Sequence, residues 1–200
     1  MRITRREAGF LGLTGLCAGL TRPSAVGASE LTEHAIGEPG APVTIVEYAS
    51  LTCHHCATFQ AETLPEFKKR YIDTGKVRLV FRDFPLEPNA LKAAKVAHCA
   101  GPERHAAFVD VFLRQHDNWA QAKDTTAALK QLTRLGGMSE QAVDACLADK
   151  ALEDRILQGR LDAQQKYNIK STPTFIINGK AYPGNRSVEE FAKIIDPLLG

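Results

Sequence analysis

"EYASLTCHHCATF", Glu47 to Phe59, sets two cysteines, Cys53 and Cys56, around a pair of histidines. It overlaps "APVTIVEYAS", whose β-branched run reads as a strand centred on residues 43–48. Past Cys56 the period changes. Phe59, Thr63, Phe67 and Tyr71 lie about four apart, which is helical spacing, and Pro65 within that stretch predicts a kink or break. A strand feeding a helix places Cys53 at the helix N-terminus. Unpaired backbone N–H groups and the helix dipole favour an anion there, so a Cys53 thiolate is stabilised and its pKa falls. Cys56 lies one turn further on, near enough to close a disulfide with Cys53. Cys53 is then the nucleophile, and the more buried Cys56 resolves the mixed disulfide. An imidazole from His54 or His55 beside the thiolate stabilises it further. A more stable thiolate favours the dithiol, which makes the disulfide a stronger oxidant.

Other uses of the motif have weaker support. Covalent haem attachment requires C-x-x-C-H, and Ala57 follows Cys56. A zinc site from Cys53, Cys56 and one histidine lacks the second cysteine pair that structural zinc usually shows. A purely structural Cys53–Cys56 bridge closes a very small loop and stabilises little. A copper-handling module built on Cys53, His54, His55 and Cys56 gains no support from methionine, since only Met1 and Met138 occur.

Beyond the helix, "DTGK" ends the segment and residues 77–84, "VRLVFRDF", form a second strand closed by "PLEPN". Residues 89–167 read as helical throughout, in four or five short helices broken near Asn118 and at Gly136-Gly137. Ala93, Val96, Ala97 and Ala100 share one face of this block. Phe108, Val111 and Phe112 share another, as do Leu129, Leu132 and Leu135, and Leu152, Ile156, Leu157 and Leu161 continue the pattern. Strands return at 174–177 and 180–182 around Asn178-Gly179, a strong hairpin signal. Ser187 and Glu190 make an S-x-x-E capping box at the start of a last helix. The order β-α-β, helical block, β-β-α describes an α/β fold with a small mixed sheet flanked by helices. His34, His98, His105 and His116 show no ligand spacing and read as surface or helix-end residues, and Trp119 reads as packing.

The 200 residues, 44% hydrophobic and 24% charged, suit one globular domain. The first 28 differ from the rest. Arg2, Arg5 and Arg6 precede an uncharged apolar run over residues 8–20, and small residues follow up to Val26-Gly27-Ala28. That is the order of an export signal, with cleavage leaving Ser29 as the new N-terminus and residues 29–200 as a single domain. Arg5-Arg6 only partly matches a twin-arginine motif, so the export route stays open. Leu16 before Cys17 is too bulky for a lipid-anchor site. The segment carries four arginines and one glutamate, and removing its +3 from the whole-chain +2 leaves −1. A chain so close to neutral has no electrostatic footprint for nucleic acid. Four cysteines remain after cleavage, an even number that suits an oxidising compartment.

The strand "VTIVEYAS", the motif Cys53-His54-His55-Cys56, the "STPTF" stretch at residues 171–175 and the helical block between them resemble the thioredoxin superfamily, specifically its exported DsbA-like thiol–disulfide oxidoreductases. The resemblance covers about residue 43 to the C-terminus. It implies a thioredoxin-like fold with the helical block inserted between the β-α-β and β-β-α halves. It also implies that Pro173 is a cis-proline facing the cysteines, with the Thr172 backbone exposed for pairing with substrate. By the same resemblance, Glu47 is a buried carboxylate that helps to move the proton, and Cys99 and Cys146 form a second, structural disulfide. His55 keeps a position tied to a low thiolate pKa, whereas His54 stands where the best-known oxidase has proline. The implied activity is that of a periplasmic dithiol oxidase, soluble after signal cleavage. It would need no cofactor or metal, would act on exported proteins with free cysteines, and would be reoxidised by a DsbB-like, quinone-linked membrane protein. A disulfide isomerase or reductase on the same fold is the rival reading. Isomerases of this group add an N-terminal dimerisation segment for which residues 29–43 leave no room, so a monomer is expected.

Overall fold

A computed structural model describes residue 31 and residues 34–200. The export signal expected over residues 1–28 lies outside these. Among the described residues the strands are β1 (His34–Ile36), β2 (Val43–Ala49), β3 (Val77–Asp83), β4 (Thr174–Ile177) and β5 (Lys180–Pro183). They form one sheet in the order β1-β3-β2-β4-β5. β2 and β3 run parallel, joined through a crossover helix, and the remaining pairings are antiparallel. This is the thioredoxin-like mixed sheet. β1 is an addition to the sequence reading. Its three residues, His-Ala-Ile, are too few to display a period, and pairing with β3 rather than local pattern makes them a strand.

β2 sits between β3 and β4, so both of its edges are hydrogen-bonded and its inward residues Val43, Ile45 and Ala49 are buried. The crossover helix begins with α1 (His54–Thr58) and continues through a π-helical turn (Phe59–Thr63), α2 (Leu64–Phe67) and a second π-helical turn (Lys68–Ile72). Pro65 therefore neither breaks nor ends the helix. Proline has no N–H to donate, and the chain absorbs the missing bond by widening the turns on either side of α2. Phe59, Phe67 and Tyr71 remain buried on one face, against Phe175 and Phe191.

The helical block comprises α3 (Pro88–Cys99), α4 (Pro102–Arg114), α5 (His116–Trp119), α6 (Thr125–Leu135), α7 (Glu140–Ala148) and α8 (Lys150–Tyr167). Its core joins Ala93, Val96 and Ala97 of α3 to Phe108 and Phe112 of α4, Leu129 of α6, Val143 of α7 and Ile156 of α8. Trp119 is buried there and donates its indole N–H to the Phe112 carbonyl at 2.8 Å. The buried faces are narrower than the apolar spacing implies. Val111, Leu135 and Leu161 are exposed, Leu135 to 86%, because a short helix over a core buries a narrow stripe. Lys95, by contrast, is buried in α3. Its ammonium donates to the Leu147 carbonyl at 2.7 Å and to Glu153 at 2.9 Å, tying α3 to α7 and α8.

β4 and β5 meet at Asn178-Gly179, both with positive φ, as a two-residue hairpin of this kind requires. α9 (Val188–Ile195) opens on a complete capping box. The Ser187 hydroxyl accepts from the Glu190 N–H, and the Glu190 carboxylate accepts from the Ser187 N–H. None of the described helices is long and apolar enough to cross a membrane.

Candidate active site

β2 ends at Ala49, and Cys53 is the N-cap of α1 in extended conformation. The Cys53 carbonyl accepts from the Cys56 and Ala57 N–H groups, each at 3.0 Å, which closes the first turn and brings Cys56 under Cys53. Cys53 is partly exposed and Cys56 is fully buried. The two thiols are strongly unequal. Hydrogen bonding from the Cys56 thiol, together with the Thr172 hydroxyl and the Cys56 and His55 backbone N–H groups, outweighs partial burial and lowers Cys53 to about 5. Burial, the shared hydrogen bond with Cys53 and the charge of Glu47 push Cys56 well above an ordinary thiol. Cys53 is therefore the thiolate and Cys56 the proton-holding partner.

His54 and His55 are exposed, and His55 reaches Cys53 through its backbone N–H. The Thr172–Pro173 peptide bond is cis. The Thr172 carbonyl lies 3.2 Å from Cys53 Sγ and accepts from it when Cys53 is protonated. The Thr172 hydroxyl is buried and has no partner other than Cys53, whose thiolate it faces. Glu47 is 3% exposed in the middle of β2, and its Oε1 has no hydrogen-bond partner. Burial, and then the charge of Cys53, raises it to about 8, so Glu47 holds a proton near neutral pH. A cavity of about 540 Å³ reaches Glu47 between α2, α4 and the β1 edge of the sheet. Cys99 at the end of α3 and Cys146 in α7 are joined by a disulfide, Cα to Cα 6.1 Å.

One contributor carries no signature in sequence spacing. His116, read as a surface or helix-end residue, is buried at the start of α5, and its Nε2–H donates to the Thr52 carbonyl at 2.9 Å. It braces the residue before Cys53 from 64 positions away in sequence. Its ring also lies 5.9 Å from that of His54. His105 departs in the same way from the surface reading, being buried in the first turns of α4.

A dithiol at a helix start beside a cis-proline loop, on this sheet order, defines a protein of the thioredoxin-fold class. The chain belongs to the thioredoxin family: residues 29–197 match the family model described as Thioredoxin, and solved structures similar to it include DsbA-like proteins. Wolbachia pipientis alpha-DsbA1 shares 34% identity and a TM-score of 0.76, covering 84% of this chain and 91% of that one. BdbD from Bacillus subtilis, at 23% identity and a TM-score of 0.73 over 82% of this chain and 91% of its own, shares the fold. A Rickettsia felis protein, provisionally named a protein-disulfide oxidoreductase, is 34% identical over 82% of this chain and 59% of its own length. The chain thus spans about 60% of the length of the Rickettsia relatives it matches.

Proposed function

We propose that this chain is a thiol–disulfide oxidoreductase that works as a dithiol oxidase on exported proteins. One arrangement carries the reading: Cys53 stands partly exposed at the N-cap of α1 and is held near 5, while Cys56, buried one turn on, is pushed up. Stabilising one thiolate of a dithiol favours the reduced form and makes the disulfide oxidising.

In the oxidised enzyme, a substrate thiolate attacks Cys53 Sγ. The Cys53–Cys56 bond breaks, and the electron pair goes to Cys56, which takes up a proton. Glu47, protonated near neutral pH and coupled to both cysteines, is placed to supply it. A second substrate thiolate then attacks the substrate sulfur of the mixed disulfide and expels Cys53 as a thiolate, a good leaving group at its low pKa. Two electrons pass from the substrate dithiol to the enzyme, and the substrate gains a disulfide. The cis Thr172–Pro173 segment, with its carbonyl turned to Cys53, offers an extended substrate chain a backbone partner. Reoxidation falls to a quinone-linked membrane protein of the DsbB-like kind. Cleavage after Ala28 would deliver the enzyme to an oxidising, periplasm-like compartment. N-terminal sequencing of exported protein would then begin at Ser29.

The test is the reduction potential of the Cys53–Cys56 pair, measured by equilibration in glutathione buffers. A value less negative than about −150 mV supports a disulfide donor. A value near about −270 mV places the pair with reductases and overturns the oxidase reading.

A further inference from the structure

Two antiparallel partners and two helices bring a second group of chemistry-bearing side chains together, away from any sequence motif. His34 of β1 pairs with Phe81 of β3, and Asp83 follows two residues later, so all three point to the same sheet face. α3 and α4 cover that face and contribute His98 and His105. His98 Nε2–H donates to Asp83 Oδ2 at 2.7 Å, with side chains only 6% and 7% exposed. The His105 ring centroid lies 4.3 Å from that of His98 at a tilt of 37°, and the His34 ring lies edge-on to His105 at 5.6 Å. One ligand atom from each of Asp83, His98 and His105 lies within 4.8 Å of the others.

His105 supplies the decisive observation. It is 2% exposed, and neither ring nitrogen has a hydrogen-bond partner. An imidazole so buried with both nitrogens unpaired is costly, and buried polar groups are rarely left this way. Val or Leu would fill the same space without that cost. A cation held between His105, His98 and Asp83 would take the lone pair of one of these two nitrogens.

We propose that Asp83, His98 and His105 bind a divalent first-row metal ion of the zinc class, with the fourth position beside His34. Two imidazoles and a carboxylate are borderline N/O donors, the set that suits such ions rather than calcium or magnesium. Tetrahedral zinc sets its ligand atoms about 3.3 Å apart, so small side-chain movements suffice: His98 and Asp83 part slightly, and the ion replaces the proton that His98 Nε2 shares with Asp83. The ion would join β1, β3, α3 and α4, pinning the helical block to the sheet edge. Its path in is the cavity that His34 and Phe81 line. A second group, His54, His116 and Asp117, carries no such argument. The buried His116 already spends Nε2 on the Thr52 carbonyl and has Nδ1 2.9 Å from Asp117.

The test is a titration of the full chain with Zn²⁺ against a chromophoric chelator, with Cys17, Cys53 and Cys56 changed to serine so that no free thiol competes. One equivalent should bind, and the melting temperature should rise with the ion. His105→Phe keeps the buried ring but removes its nitrogens, and should weaken binding about tenfold or more. His54→Gln should leave binding unchanged. If His105→Phe does not fold, the histidine ring resonances of the serine-substituted chain decide. Zn²⁺ should move those of His98 and His105 and not those of His54 and His116. Absence of saturable binding would assign the His105 nitrogens to buried water and overturn the proposal. So would binding that follows His54 instead of His105.

Discussion

Cys53 and Glu47 show how far a side chain's surroundings can move it from its ordinary chemistry. Cys53 falls from 9.0 to about 5, and the leading cause is the Cys56 thiol that hydrogen-bonds to it. The thiolate absorbance of the reduced protein should therefore titrate near pH 5. Cys56→Ala, which removes that donor, should move the midpoint up by about one unit or more. A folded pKa below the unfolded one stabilises the reduced fold above the unfolded value, and that contribution is lost as pH falls through about 5. Glu47 has the opposite sign. Its folded pKa of about 8 lies above the ordinary 4.5, so the folded state holds a proton that the unfolded chain has released. Stability lost to this carboxyl grows as pH rises from 4.5 to 8. Glu47→Gln should stabilise the reduced protein by about 3 kcal/mol at pH 7 and by almost nothing at pH 4, as read by denaturant unfolding at both pH values.

Among the elements, those whose instructions are local are legible in the sequence. The Asn178-Gly179 hairpin and the Ser187–Glu190 capping box follow from residue chemistry within four positions, and both are present. Ser187→Ala removes the hydroxyl that accepts from Glu190 N–H and should cost about 1 kcal/mol, seen as a lower denaturation midpoint with unchanged m-value. Elements whose form depends on neighbours are less legible. β1 becomes a strand by pairing with β3, and the segment around Pro65 stays helical because its aromatic face is held in the core. The apolar positions along α4, α6 and α8 define the period of each helix but not the width of its buried stripe. Val111, Leu135 and Leu161 are apolar by composition and exposed by placement.

At the scale of the whole molecule, the Cys99–Cys146 bridge closes a loop with a sequence separation of 47 and fastens α3 to α7 inside the helical block. Restricting an unfolded loop of that length is worth up to about 4 kcal/mol. Replacing both cysteines with alanine should therefore lower unfolding stability by about 2–4 kcal/mol, measured with Cys53 and Cys56 kept reduced in both proteins. The sequence alone determined the strand–helix junction that carries the thiols, the helical insertion and the closing hairpin and helix. Those signals repeat every two, three or four residues and need no distant partner. Only the tertiary structure decided which polar groups would be enclosed. Glu47 is buried because the crossover helix and α4 meet over its face of β2, His116 because α5 folds against the Cys53 loop, and His105 because α4 closes over Asp83 and His98. Burial is set by what packs against a residue from elsewhere in the chain, and no local pattern records it.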